Sequence, residues 1–191
     1  TTMSRTFVVV GGDAAGMSAA SKARRANPEL DIIVFEQGHW VSYGACGLPY
    51  YIKDEIRDLE DLVAVTPEDF REHRDIDLRL EHRGIRVDPE NQTVTAETED
   101  GTVEQSFDQL LVSTGARAVK PPLEGMDLDR VYTLHDLEDG RRIKTLIDEQ
   151  TPRKAVLVGG GYIGLEMAEA LAGRGLEVEL FEMMPRVLGP F

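Results

Sequence analysis

The sequence predicts an α/β fold of two similar units, the first interrupted by a small antiparallel β insertion. Three observations carry that prediction. Phe7-Val-Val-Val-Gly-Gly-Asp-Ala-Ala-Gly16 is an apolar strand running into a glycine turn, and an acid, Glu36, follows 20 residues after Gly16. Ala155-Val-Leu-Val-Gly-Gly-Gly-Tyr-Ile-Gly164 repeats the pattern, with Glu182 placed 18 residues after Gly164. Between them, over residues 77–107, the apolar residues alternate with polar ones as in half-buried strands.

Each repeated unit reads as a Rossmann-like dinucleotide-binding element. The first glycine, Gly11 or Gly159, turns the chain sharply off its strand. The last, Gly16 or Gly164, lets helix and strand pack closely. Backbone N–H groups of the first helical turn then face a pyrophosphate. The terminal carboxylate accepts hydrogen bonds from a ribose diol. The second unit, with Gly161 in the middle, matches the glycine spacing fully. The first has Asp13 at that position, and a carboxylate there must point away from the pyrophosphate or be paired. The plain alternative for either unit is a strand-to-helix turn with no ligand. Two nucleotide sites around a single cysteine point to electron transfer.

Element by element, Phe7–Val10 is a buried parallel strand. Ala15–Ala26 is a helix closed by Asn27-Pro28, and Asp31–Phe35 is the next strand. A loop through Gly38, Tyr43 and Gly44 leads to Cys46, where a helix is expected to begin, with Pro49 tolerated in its first turn. Thr66-Pro67-Glu68-Asp69 caps a helix to about Arg74. Asp77–Leu80, Gly84–Val87, Thr93–Glu97 and Val103–Phe107 are expected as short antiparallel strands, and Leu110–Ser113 as a buried one. Residues 116–123, with Pro121-Pro122, form a linker. Asp136–Glu149 is a polar helix broken by Thr151-Pro152. The second unit has two strands where a mononucleotide-binding half has three, which implies a truncated chain. The expected division is a first domain at residues 3–118 and a second at 119–191.

Composition narrows the functional classes. The net charge of −14 gives no basic footprint for nucleic acid and disfavours anionic membranes. No stretch approaches the roughly 20 apolar residues of a membrane span. Phe7–Val10 is too short for a secretory signal. One cysteine excludes an intrachain disulfide framework and predicts a reducing, cytoplasmic setting. His39, His73, His82 and His135 show no metal-ligand spacing, so no metal is expected.

The chain resembles the flavoprotein pyridine nucleotide–disulfide reductases, in the single-cysteine branch of coenzyme A disulfide reductases, NADH oxidases and NADH peroxidases. The residues that carry the resemblance are Val10-Gly-Gly-Asp-Ala-Ala-Gly-Met-Ser-Ala-Ala20, Val41-Ser-Tyr-Gly-Ala-Cys-Gly-Leu-Pro-Tyr-Tyr51, Ser113-Thr-Gly-Ala-Arg117 and Val158-Gly-Gly-Gly-Tyr-Ile-Gly-Leu-Glu166. It implies two FAD/NAD(P)-binding units. The first would hold FAD with Gly11, Gly12, Ala15 and Gly16, place Glu36 on the adenosine ribose, and border the nucleotide with Ser42, Thr114 and Gly115. The second would hold NADH, with NADPH disfavoured, through Gly159, Gly161, Tyr162, Ile163, Gly164 and Glu182, with Glu166 near the nicotinamide. Cys46 would be the redox centre. The family's later flavin-contacting segment and dimerisation domain are absent from this sequence, and the resemblance implies a homodimer at full length.

Chemistry agrees with that role for Cys46. A thiolate is the reactive form, a helix start favours it, and Gly44 and Gly47 allow close approach. A buried, inert cysteine is the alternative. The two-cysteine members use Cys-x4-Cys, and here the partner position is Tyr51. Cys46 must therefore form a mixed disulfide or persulfide with a substrate, or pass through a sulfenic acid. Ala14 stands where the peroxidase and oxidase members usually carry a histidine, which favours a disulfide or persulfide acceptor over oxygen. Ala45 stands where many coenzyme A disulfide reductases have asparagine, which leaves coenzyme A open. Lys22, Arg24 and Arg25 can meet coenzyme A phosphates or simply close the first helix. Trp40 and Tyr43 can wall a flavin pocket or pack in the core. Met167, Met183 and Met184 are expected in the core or an interface. A nucleotide-binding redox sensor without turnover is the reading from another class.

Overall fold

The structure, a computed structural model, describes residues 5–189. The expected domain ends at Met3 and Phe191 lie outside the described residues. The chain runs β1 (Thr6–Val10), α1 (Ala14–Ala26), β2 (Asp31–Phe35), α2 (Leu48–Lys53), β3 (Asp77–Arg79), β4 (Arg83–Asp88), β5 (Thr93–Thr98), β6 (Gly101–Ser106), β7 (Gln109–Val112), α3 (Leu137–Gln150), β8 (Lys154–Val158), α4 (Tyr162–Gly173) and β9 (Glu177–Phe181). It is an α/β protein with parallel sheets and one antiparallel sheet.

Contacts divide the chain into two compact units. One comprises residues up to Tyr43 plus Val63–Ala116, and the other Gly44–Leu62 plus the residues from Arg117 onward. Gly44–Leu62 clusters with the residues after Arg117, since α2 packs on α3 and α4.

In the first unit four parallel strands lie in the order β3-β2-β1-β7, with Val8 opposite both Ile33 and Leu110. Alternation along β1 sends its residues to two cores. Val9 joins Met17 and Ala20 of α1 with Ile32, Val34 and Phe70. Val8 and Val10 join Ile33, Phe35, Val94 and Ala96 beneath the antiparallel sheet β4-β5-β6. Asp77–Arg79 corrects one expectation: β3 pairs parallel with β2 at the edge of the main sheet. Its three residues are too few for alternation to report strand direction. Thr66 accepts the Asp69 N–H at 3.2 Å, as expected of a cap, but the turn it opens, Asp69–His73, is π-helical.

In the second unit β8 and β9 pair in parallel, and α4 connects them. Asp136 caps α3 by accepting the Asp139 N–H at 2.8 Å, and the helix ends at Thr151 in a left-handed conformation. No helix among the described residues is long and apolar enough to cross a membrane.

Candidate functional site

The two glycine turns have the same construction. Gly11 leaves β1 with φ +107° and donates to the Phe35 carbonyl at 2.8 Å. Gly159 leaves β8 with φ +109° and donates to the Phe181 carbonyl at 2.8 Å. Positive φ of this size is inexpensive only for glycine. A Cβ on Gly16 would overlap the Gly11 carbonyl oxygen, and a Cβ on Gly164 would overlap that of Gly159. Close approach of helix and strand therefore sets both last glycines.

The two acids occupy equivalent places. Glu36 accepts the N–H of Gly12 at 2.7 Å and of Gly38 at 2.8 Å. Glu182 accepts the N–H of Gly160 at 2.6 Å and of Met184 at 2.7 Å. The N–H groups of Met184 and Gly160 hold the Glu182 carboxyl below the usual glutamate range. Each carboxylate has about four lone-pair sites and uses two here, which leaves capacity for a ribose diol.

Neither helix start carries a side-chain cap. Asp13 occupies the cap position of α1 without capping it, and accepts the Tyr43 N–H at a long 3.4 Å. Asp13 and Gly161 both have negative φ in extended backbone, so the middle glycine is not needed for conformation. The uncapped first-turn N–H groups suit an external anion, and both turns fit a dinucleotide pyrophosphate.

The remaining first-unit residues lie close in sequence or space. Ala15 is exposed on the first turn of α1. Ser42 sits at φ +50°, a strained conformation for a serine, and its carbonyl accepts the Ala64 N–H at 2.8 Å. Thr114 and Gly115 are exposed beyond β7. One residue that sequence reasoning quoted without a role is Ser113. Its hydroxyl donates toward the carbonyls of Val10 and Gly11, at 3.2 and 3.1 Å, and ties the turn to β7.

Cys46 is exposed and lies in a 3₁₀ turn, Ala45–Gly47. The expected helix start at Cys46 is corrected: α2 begins at Leu48, with Pro49 in its first turn. Leu62 explains Gly47, because a Cβ there would meet its side chain. Tyr51 is buried, and burial, then Asp148 and Glu60, push its phenol pKa up. In the second unit Tyr162, Ile163, Gly161 and Glu166 are exposed on α4 or its cap. Glu166 borders a small cleft of about 30 Å³ with Pro49, Tyr50, Lys53, Glu169 and Ala170. Lys53 pairs with Glu55 and Glu169, which push its pKa up to about 12.

Other expectations resolve individually. Arg24 pairs with Asp75 and donates to the Pro28 carbonyl, so this member of the basic cluster closes the helix end. Met167 is buried, but Met183 and Met184 are exposed and outside the core. The hydrogen bonds at Glu182 hold that stretch at the rim of the turn. His82 stacks on Phe35, and among the described residues no cluster could hold a metal ion. Trp40 and Tyr43 are half-buried.

Residues 5–191 match the family model described as pyridine nucleotide-disulphide oxidoreductase. An NADH oxidase of Methanocaldococcus jannaschii is 40% identical over 96% of this chain and 41% of its own length. A coenzyme A disulfide reductase of Staphylococcus haemolyticus is 37% identical over 96% of this chain and 41% of its own. A solved NAD-dependent persulfide reductase from A. fulgidus superposes with a TM-score of 0.91 at 39% identity, covering 95% of this chain and 34% of that one. The chain thus spans about two fifths of the length of the curated relatives it matches.

Proposed function

The chain belongs to the pyridine nucleotide-disulphide oxidoreductase family, and from that premise we propose that the full-length protein is an FAD-dependent NAD(P)H oxidoreductase reducing a low-molecular-weight disulfide or persulfide through Cys46. The observation that carries this reading is two matched glycine–glutamate turns in a chain with one exposed cysteine. The first turn is assigned to FAD: Gly11, Gly12, Ala15 and Gly16 at the pyrophosphate, Glu36 on the ribose, and Ser42, Thr114 and Gly115 at its border. The second is assigned to NAD(P)H: Gly159, Gly161, Tyr162, Ile163 and Gly164 at the phosphates, Glu182 on the ribose and Glu166 toward the nicotinamide.

Bound FAD supplies a two-electron relay between a hydride donor and sulfur. The chain binds both nucleotides and presents the thiolate. Cys46 sulfur attacks one sulfur of R–S–S–R′; the S–S bond breaks, R′S⁻ leaves and takes up a proton, and Cys46–S–S–R remains. Two electrons drawn from NAD(P)H, with a proton, cleave that bond and release RSH. The balance is NAD(P)H + H⁺ + RSSR′ → NAD(P)⁺ + RSH + R′SH. Tyr51 at the partner position supports this route, since no second thiol of this chain can resolve the adduct. The similarity to an NADH oxidase supports a second reading, with oxygen as acceptor.

Steady-state turnover of the full-length protein with NADH against coenzyme A disulfide, a persulfide donor, peroxide and oxygen separates the two. Cys46→Ser is expected to keep flavin content and NADH binding and to lose disulfide or persulfide turnover, because a hydroxyl cannot undergo thiol–disulfide exchange. Full disulfide turnover by Cys46→Ser would remove Cys46 from the reaction. A colourless protein that FAD cannot reconstitute would remove the flavin assignment.

A further inference from the structure

The short helix that follows Cys46 is held at its far end by two cations of the second unit. Lys144, on α3, is buried, with its side chain only 11% exposed. Its Nζ binds Asp54 Oδ1 at 2.5 Å and sits 5.2 Å from the centre of the Tyr51 ring. Asp54 is the C-cap of α2, in left-handed backbone at φ +75°. Arg174 is the C-cap of α4. Its Nη1 donates to the Ile52 carbonyl at 2.9 Å, and its Nη2 pairs with Asp148 of α3. Both cations therefore engage the last turn of α2, one through its cap carboxylate and one through a backbone carbonyl.

Exposed ion pairs of this length contribute little. In this one the Lys144 side chain is 11% exposed while that of Asp54 is 60% exposed, so the cation is the shielded member of the pair. Removing Asp54 leaves that shielded cation without its carboxylate. Gly140 of α3 adds a steric constraint, because a Cβ there would meet Leu48 at 2.5 Å, in the first turn of α2. The helix after the thiol is thus fixed at both ends by residues of α3 and α4, and α4 begins at the second nucleotide turn.

We propose that Lys144 and Arg174 are positioning residues for Cys46, fixing α2 on α3 and α4 so that the thiol is carried by the same compact unit as the NAD(P)H turn. This rests on the reading of Cys46 as the redox thiol. Each cation acts through the helix that Cys46 precedes.

The test uses the full-length flavoprotein and two electron acceptors. Disulfide reduction needs the thiol, whereas NADH-to-ferricyanide transfer does not. Lys144→Met is expected to lower disulfide kcat by about tenfold, because an ångström-scale misplacement of a reacting group costs one to two orders of magnitude. Ferricyanide turnover and flavin content are expected to stay unchanged, and the rate of Cys46 alkylation by iodoacetamide to change. Asp54→Asn, which tolerates the left-handed backbone, should give the same split, and the double variant should be no worse than the more affected single one. If Lys144→Met does not fold, Asp54→Asn alone decides. A parallel fall in both turnovers, or unchanged disulfide kcat, overturns the proposal. Cys46→Ser tells the two ideas apart: disulfide turnover surviving there sinks the thiol reading itself, whereas turnover lost there but kept in Lys144→Met and Asp54→Asn sinks only the positioning role.

Discussion

The two glycine turns share one local geometry and have different neighbours among residues 5–189. Gly11 and Gly159 differ by only 2° in φ, and each following glycine N–H donates to its acid at 2.7 or 2.6 Å. Val8 and Val9 of β1 are 0% exposed, while in this chain, which spans about two fifths of its relatives' length, Val156 and Val158 of β8 are 55% and 63% exposed. The first turn is backed by β7 and Ser113; among the described residues the second sheet pairs β8 with β9. The same turn forms in both settings, so its conformation is dictated by the local motif.

Alanine at the first glycine of each turn should expose that difference most strongly. Gly11→Ala forces a positive φ on an L-residue and drives its Cβ into the Ser113 carbonyl. Strain and overpacking together are expected to cost about 3–4 kcal/mol. In this 191-residue chain Gly159→Ala meets the same φ but no atom of the described residues within 4 Å. Its cost in this chain should be the strain alone, about 1–2 kcal/mol. Hydrogen exchange in α1 and α4 reads the two units separately. Gly16→Ala and Gly164→Ala both overlap a turn carbonyl, and Gly16→Ala also meets the Ser113 hydroxyl, so it should cost at least as much as Gly164→Ala. Equal costs for Gly11→Ala and Gly159→Ala would mean that β7 gives the first turn no special constraint.

A smaller effect concerns the acids. Glu182 directly follows β9, where its charge would repel a ribose 2′-phosphate, and this favours NADH over NADPH. Glu182→Ala is expected to narrow the NADH:NADPH ratio of kcat/KM by about tenfold, the value of one charged hydrogen bond of roughly 1.4 kcal/mol. An unchanged ratio would place the discrimination elsewhere, with Arg186 the nearest cation in sequence. The same carboxylate gives a pH signature. Its folded pKa lies below the ordinary 4.5, so its stabilisation is complete above that value and is lost as pH falls through the folded one. A carboxyl titration midpoint at or above 4.5 contradicts the two N–H bonds.

Both turns were legible in the sequence because glycine spacing and strand period are local. The position of Asp77–Arg79 was not, since whether so short a strand runs parallel to β2 is decided by the long connection before it. Neither was the packing of α2 on α3 and α4, with its contacts to Lys144 and Arg174, which lie distant in sequence from α2. Helix periodicity marks Lys144 as one more charge on a polar helix; only packing shows it buried. A helix after Cys46 was legible, but the 3₁₀ turn before α2 was not, because Pro49 is compatible with either start.

The smallest expected effect tests the one place where the motifs disagree. Asp13 and Gly161 hold the same cap position, both in extended backbone that any residue adopts. Asp13→Gly removes one long hydrogen bond to Tyr43 and adds chain entropy to the unfolded state. The net destabilisation should be under about 1 kcal/mol, the usual scale of a glycine's entropic cost. Removing a carboxylate beside the proposed pyrophosphate site should leave FAD affinity equal or higher. The reciprocal change, Gly161→Asp, places a Cβ with no atom of the described residues within 4 Å and brings a charge to the second turn. NADH affinity measured by flavin-independent titration should then fall. If Gly161→Asp binds NADH normally, pairing with the Tyr43 N–H is not what makes an aspartate tolerable in the first turn, and the cap position is indifferent to charge in both units.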